Sequence, residues 1–158
     1  MPLDPTDRKL LAALQRDGRA SMEALSQLVH LSARATLNRV RKLEADGHIE
    51  GYRAVLARAS LGEHVSVFAE IALKDQRRAT AQRFERHMLA CPEVVACYLI
   101  SGRYDYLVRV ACRDLAHYRD LTSVWLDDVT LGIEKIMTNT ELQTVKEFAG
   151  FPLPLVKP

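Results

Sequence analysis

Between Leu31 and Tyr52 the chain reads LSARATLNRVRKLEADGHIEGY, with Arg34, Arg39, Arg41 and Lys42 inside nine residues and apolar residues threaded between them. Cationic side chains repeated along one element can neutralise a polyanion, and Arg or Asn beside them can read base edges. On a helical wheel Asn38, Arg41 and Lys42 fall within about 80° of Arg34. Thr36, Val40 and Leu43 gather on the far side, flanked by Ala33 and Leu37. Arg39 lies on the boundary, where it serves either a phosphate or helix packing. An ordinary solvated helix face has the same composition, so the punctuation around the segment has to separate the two readings.

A second stretch with chemical content is ISGRYDYLV, residues 100–108. Gly102 can take positive φ and expose backbone amides, and Asp105 offers an acceptor at the end of a tight turn. Together they could hold the carboxylate and ammonium of an amino acid. The alternative is a hairpin turn whose Asp satisfies its own backbone. Other chemistry is thin. Cys91, Cys97 and Cys112 have no CxxC spacing and read as core thiols, and the five His lack HxH or HExxH spacing, so neither a metal site nor a disulfide framework is expected. No GxSxG, GxxxxGK[ST] or GxGxxG occurs, and Asp127 and Asp128 look like a helix end. No cofactor is expected.

The elements that must position these residues are legible from caps and periodicity. Asp4 is an N-cap with Pro5 behind it and Asp7 three residues on; Leu10, Leu11 and Leu14 form a stripe, and Gly18 follows, predicting a helix over 5–16. Ser21 caps a short second helix with Leu25, Leu28 and Val29 at helical spacing, turning at His30 and Leu31. Ser32 caps a third that runs to about Asp46 and stops at Gly47. HIEGYRAVL, residues 48–56, reads as an extended exit strand. A capped short helix, a tight turn and a second capped helix with a cationic outer face is the pattern of a helix-turn-helix, whose second helix enters the major groove.

The chain has 158 residues, 48% of them apolar and 27% charged, enough to build a core in one ordinary or two small domains. Periodicity changes near Ser60, dividing it into residues 1–60 and 61–158. The first part carries ten Lys and Arg against seven Asp and Glu, the second twelve against thirteen, so the small positive excess sits beside the cationic helix. No apolar run reaches membrane-span length and the N-terminus lacks a signal-peptide stretch, which predicts a cytoplasmic protein.

The second part reads as β-α-β-β-α-β. HVSVFAEIAL is strand-like, residues 77–90 form a helix with Phe84, Met88 and Leu89 inward, and VVACYLIS and YDYLVRVAC flank the turn at Gly102 and Arg103. A helix at about 115–127, on which Trp125 packs, and a last strand from Ile133 complete the order. This is an α+β, ferredoxin-like unit with two helices on one face of an antiparallel sheet. Val65, Val67, Ala69 and Ile71 alternate with Phe68, Glu70 and Ala72, so both sheet faces carry apolar residues and a homodimer pairing two sheets is expected.

The sequence resembles the leucine-responsive regulator and AsnC (Lrp/AsnC) family of transcription factors over nearly its whole length. LDPTDRKLLAALQRDGR looks like that family's opening, LSARATLNRVRKLEADGHIEGYRAVL like its recognition helix and exit strand, and SGRYDYLVRV like the turn of its effector domain. The resemblance implies a winged helix-turn-helix that binds double-stranded operator DNA, with Ser32, Arg34, Asn38, Arg39, Arg41 and Lys42 at the interface. Arg34 stands where the family often has a small polar residue. It further implies dimers that assemble into tetramers or octamers, and an amino-acid site between dimers built from Ser101, Gly102, Arg103, Tyr104, Asp105 and Tyr106. The family's last strand adds two hydroxyl residues to this site. Counted back from TVK, the matching positions are Ile136 and Thr138, and Ile136 departs from the pattern: either the ligand contact is altered, or the site takes an apolar side chain such as that of leucine or methionine, or no effector is bound. Siroheme decarboxylases resemble the same family, but SGRYDYLVRV lacks the His and Trp of their turn. A stand-alone effector-binding protein is the remaining alternative.

Overall fold

The computed structural model describes residues 3–57, 60 and 62–153. The chain divides into two compact units, one running to Val55 and including the tail from Lys146, the other spanning Leu56–Val145.

The first unit contains α1 (Pro5–Arg16), α2 (Met22–Val29) and α3 (Ala33–Ala45). Each start is explained by its cap. The Asp4 carboxylate accepts from the Asp7 N–H at 2.7 Å while the Asp7 carboxylate accepts from the Asp4 N–H at 3.3 Å, and Pro5 occupies a position whose missing N–H costs nothing. Ser21 and Ser32 accept from the amides of Ala24 and Ala35 at 3.1 and 3.2 Å. Only His30, Leu31 and Ser32 separate α2 from α3, and the chain reverses there because His30 takes the left-handed conformation, φ 56°. Leu10, Leu14, Leu25, Val29, Val40 and Leu43 form the core. Leu28, expected in the stripe, is half exposed, because the buried face of so short a helix is already filled by Leu25 and Val29. Gly47, at φ +74°, ends the α3 region.

Beyond it, the expected exit strand over 48–56 does not form: these residues join no ladder, because among the described residues the first unit has no strand edge for them to pair with. The tail returns to α1. The Gln15 carboxamide donates to the Phe151 carbonyl at 2.7 Å and accepts from the Phe151 N–H at 3.2 Å, and the Phe148 and Phe151 rings meet edge to face at 5.0 Å.

The second unit contains β1 (Val65–Leu73), α4 (Arg78–Ala90), β2 (Val94–Leu99), β3 (Tyr106–Cys112), α5 (Leu115–Asp127), a 3-10 turn at Val129–Leu131 and β4 (Ile133–Thr140). The strands lie in the order β2-β3-β1-β4, every neighbouring pair antiparallel. This is the ferredoxin-like arrangement. Alternate residues Val67, Ala69 and Ile71 of β1 and Tyr106, Val108, Val110 and Cys112 of β3 form one core with Phe84 and Met88 of α4 and Tyr118 and Trp125 of α5. Leu89, expected inward, is exposed, because it lies about 100° around the helix from Met88, beyond the packed stripe. Cys112 is buried, whereas Cys91 and Cys97 are only partly so. The opposite sheet face carries Phe68, Ala72, Leu107, Tyr98 and Met137 interleaved with Ser66, Glu70, Arg109 and Asn139, and among the described residues of this unit no helix packs on it; Tyr98 remains 60% exposed. None of the described helices is long and apolar enough to cross a membrane.

Candidate DNA-reading helix and effector turn

The three-helix core presents α3 with Thr36, Val40 and Leu43 buried and Arg34, Asn38, Arg41 and Lys42 exposed on the other side. Ser32, exposed at the helix start, spends its hydroxyl on the cap. The cationic row is therefore held by a helix whose inward face is fixed by packing. Arg39 goes elsewhere. Its guanidinium donates to Asp4 at 2.6 Å and to Asp7 at 2.7 Å, joining α3 to the capping box of α1. Of its two expected roles, this geometry is helix packing. Partial burial raises the Asp4 carboxyl, but the Asp7 amide and the Arg39 guanidinium outweigh it, and the group lies below its usual range. The same hydrogen bonds raise the Arg39 guanidinium.

In the second unit the turn between β2 and β3 carries Ser101, Gly102 and Arg103 into solvent. Gly102 has φ +131°, and open space surrounds the place where a Cβ would be, so its backbone conformation, not crowding, requires glycine. Tyr104 turns inward, 8% exposed, with its hydroxyl buried and without a hydrogen-bond partner among the described residues, while the Arg103 guanidinium lies 5.9 Å from its ring centre. Asp105 is held through both its backbone and its side chain. Its N–H donates to Ile71 O (2.9 Å), its carbonyl accepts from Ile100 N–H (2.8 Å), and its carboxylate accepts from Leu73 N–H and Gln76 Nε2, both at 2.7 Å. The Tyr106 hydroxyl donates to Glu85 at 2.9 Å; burial, and then that carboxylate, push the phenol's pKa strongly upward.

Ile136 and Thr138 stand opposite Ile71 and Ala69 in the ladder, on the helix-covered face. Ile136 packs against the core, and Thr138 Oγ1 lies 3.0 Å from the Tyr118 hydroxyl. Burial raises the Tyr118 phenol and the contact with Thr138 partly offsets this. Gln76 is the residue that sequence reasoning missed. It sits in KDQRR between β1 and α4, where no motif or periodicity marks it. Among the described residues no group of three His, Cys, Asp or Glu could hold a metal ion.

A helix-turn-helix with an outward cationic helix, joined to a ferredoxin-like unit with a polar turn, defines the class of two-domain transcriptional regulators. Comparison with known proteins narrows the class. Residues 3–44 match the model of the AsnC-type helix-turn-helix domain and residues 66–151 that of the Lrp/AsnC ligand binding domain. The chain belongs to the Lrp/AsnC family of transcriptional regulators. It is 42% identical over 151 residues to the Bkd operon transcriptional regulator of Pseudomonas aeruginosa, covering 96% of this chain and 98% of that protein. Among solved structures it resembles an AsnC family regulator from Agrobacterium tumefaciens, with a TM-score of 0.86, 30% identity and coverage of 96% and 97% of the two chains. It also resembles a transcriptional regulator from Neisseria meningitidis in complex with L-methionine, with a TM-score of 0.87, 27% identity and the same coverage.

Proposed function

We propose that this regulator binds double-stranded operator DNA through α3 and responds to an apolar amino acid, leucine or methionine, at the turn 101–106. The carrying observation is the division of α3 into a buried face and an exposed row of Arg34, Asn38, Arg41 and Lys42, with Arg39 withdrawn into an intramolecular pair. Arg34 and Asn38, near the amino end of the helix, are the base-reading candidates, and Arg41 and Lys42 are suited to phosphates. Gly102 and its neighbours supply amide donors to the effector carboxylate. Asp105 retains lone pairs beyond the two its fold contacts use and takes the ammonium. Ile136 and Thr138 lie on the helix-covered side of β4, where Ile136 favours an aliphatic or thioether side chain. The L-methionine held by the Neisseria relative supports this ligand class.

The exposed apolar residues Tyr98 and Met137, on the sheet face opposite α4 and α5, suit a dimer contact, with two α3 helices spaced for half-sites about one DNA turn apart, near 34 Å. Dimers associate further into tetramers or octamers in the cytoplasm, and the effector acts by favouring one assembly. A 100-fold preference between assemblies corresponds to roughly 2.7 kcal/mol, enough to rearrange bound dimers without altering a base contact.

The test is an electrophoretic titration of the protein against its own upstream region, with wild type and the Arg34→Ala, Asn38→Ala double variant, with and without L-leucine or L-methionine. Loss of the specific complex in the double variant is expected, together with an effector-dependent change in the wild-type pattern. Equal affinity of wild type and variant would remove α3 as the reading element.

A further inference from the structure

An ammonium bound at the turn needs an acceptor whose lone pairs already point at it, because a carboxylate free to rotate would lose part of the interaction energy to ordering. Asp105 is not free to rotate. One carboxylate oxygen is fixed by the Leu73 amide, donated from the end of β1 where the pairing with β4 slips by one residue. That irregularity falls between Ala72 and Leu73, and the side chain of Asp105 takes up the amide of the second of them. The other oxygen is fixed by the carboxamide of Gln76.

Leu73 acts through its backbone, which any residue supplies. Gln76 acts through its side chain and is solvent-exposed, so it stands where an incoming ligand can reach it. Its Nε2 is committed to Asp105, which leaves its Oε1 as a second acceptor beside the carboxylate. A primary ammonium has three donors and matches such a pair of acceptors better than a lone carboxylate.

We infer that Gln76 is a positioning residue of the effector site, orienting Asp105 toward the ammonium of an α-amino acid and thereby selecting amino acids over their deaminated analogues. This inference rests on the effector reading proposed above. It places part of the site on the loop between β1 and α4, outside the turn 101–106 and outside β4. A residue there discriminates by the ligand's head group, whereas Ile136 discriminates by its side chain.

The experiment uses the full-length protein and four ligands measured by calorimetry: L-methionine, L-leucine, and the deaminated acids 4-(methylthio)butanoate and 4-methylpentanoate. Gln76→Met keeps the length and flexibility of the side chain and removes its hydrogen bond. The variant should bind both amino acids about tenfold more weakly, in line with loss of a hydrogen bond to a charged group. Its affinity for the deaminated acids should stay within about twofold of wild type, because the changed interaction is absent from those ligands. An equal loss for both ligand classes, or no loss for either, would overturn the inference.

A ligand-free measurement separates this inference from the effector reading. Amide exchange at Leu73 should accelerate in Gln76→Met while the amides of Val67 and Ala69 stay protected, since only the oriented carboxylate holds the former. If wild type binds none of the four ligands, the effector reading fails. Unchanged exchange at Leu73 would show that Asp105 needs no help from Gln76 and would equally end the positioning role.

Discussion

Arg34, Lys42 and Arg39 are three cations on one helix to which the proposed function gives three roles. Arg34, exposed near the start of α3, is the proposed base reader, so Arg34→Ala should weaken operator binding by about 1–3 kcal/mol and relax preference at one base pair. Lys42, one turn from the end, should act on phosphate. Lys42→Ala should weaken all sequences alike and lower the salt slope by about 1, measurable by binding at several ionic strengths. Arg39 belongs to stability instead. Its ion pair with Asp4 is over one-third exposed on both sides, so Arg39→Ala should cost only about 1 kcal/mol at neutral pH. Because the Asp4 carboxyl is depressed in the folded state, that contribution is complete above the ordinary carboxyl range and lost as pH falls through the folded value. Urea denaturation should therefore show the two proteins converging as the pH falls through the depressed Asp4 value while differing at pH 7. A constant difference across that range would remove the ion pair as the cause.

At the level of elements, side-chain caps mark the starts of α1, α2, α3 and α5, whereas α4 begins without one. Gly132 ends the 3-10 turn before β4 at φ +64°, and a Cβ there would overlap Cγ2 of Thr80 on α4. Gly132→Ala should destabilise the second unit by about 2 kcal/mol or more, part from the left-handed backbone and part from the overlap. Thr80→Ser removes the methyl group and should recover only the second part. A double-mutant cycle in urea is the check: additive energies would mean that the two positions do not meet. The residues of this contact are 52 apart in sequence and neither stands out by type, so only packing reveals the pair.

At the scale of the whole molecule, the proposed dimer contact lies on the sheet face opposite α4 and α5. Leu107 stands on that side, across the ladder from Glu70 and Tyr98. Leu107→Glu sets a carboxylate opposite Glu70 and puts charge into the proposed dimer contact. Sedimentation at micromolar concentration should give a dimer or larger for wild type and a 17.8 kDa monomer for the variant. A wild-type monomer would leave the face without its expected role. The tail from Lys146 belongs to this scale too, since it brings the end of the chain back to α1 through Gln15 and Phe151, 136 residues apart.

The sequence by itself determined the helices and the four sheet strands in their order, though not the absence of the strand it suggested at 48–56, because caps, stripes and alternation are short-range signals. Asp4, Ser21 and Ser32 each bond an amide three residues away, and a strand's two faces follow from a period of two. It also placed the cationic face of α3, since a helical wheel needs no neighbours. The tertiary structure alone decided which of these groups are already engaged. Arg39 looked equally suited to DNA and to packing until α1 brought Asp4 and Asp7 against it. Asp105 looked like a free acceptor until β1 and the following loop supplied Leu73 and Gln76. Leu28 and Leu89 are apolar by type, yet both stay exposed beside the faces that pack. Each of these outcomes depends on contacts between distant segments, and chain spacing carries no record of such contacts.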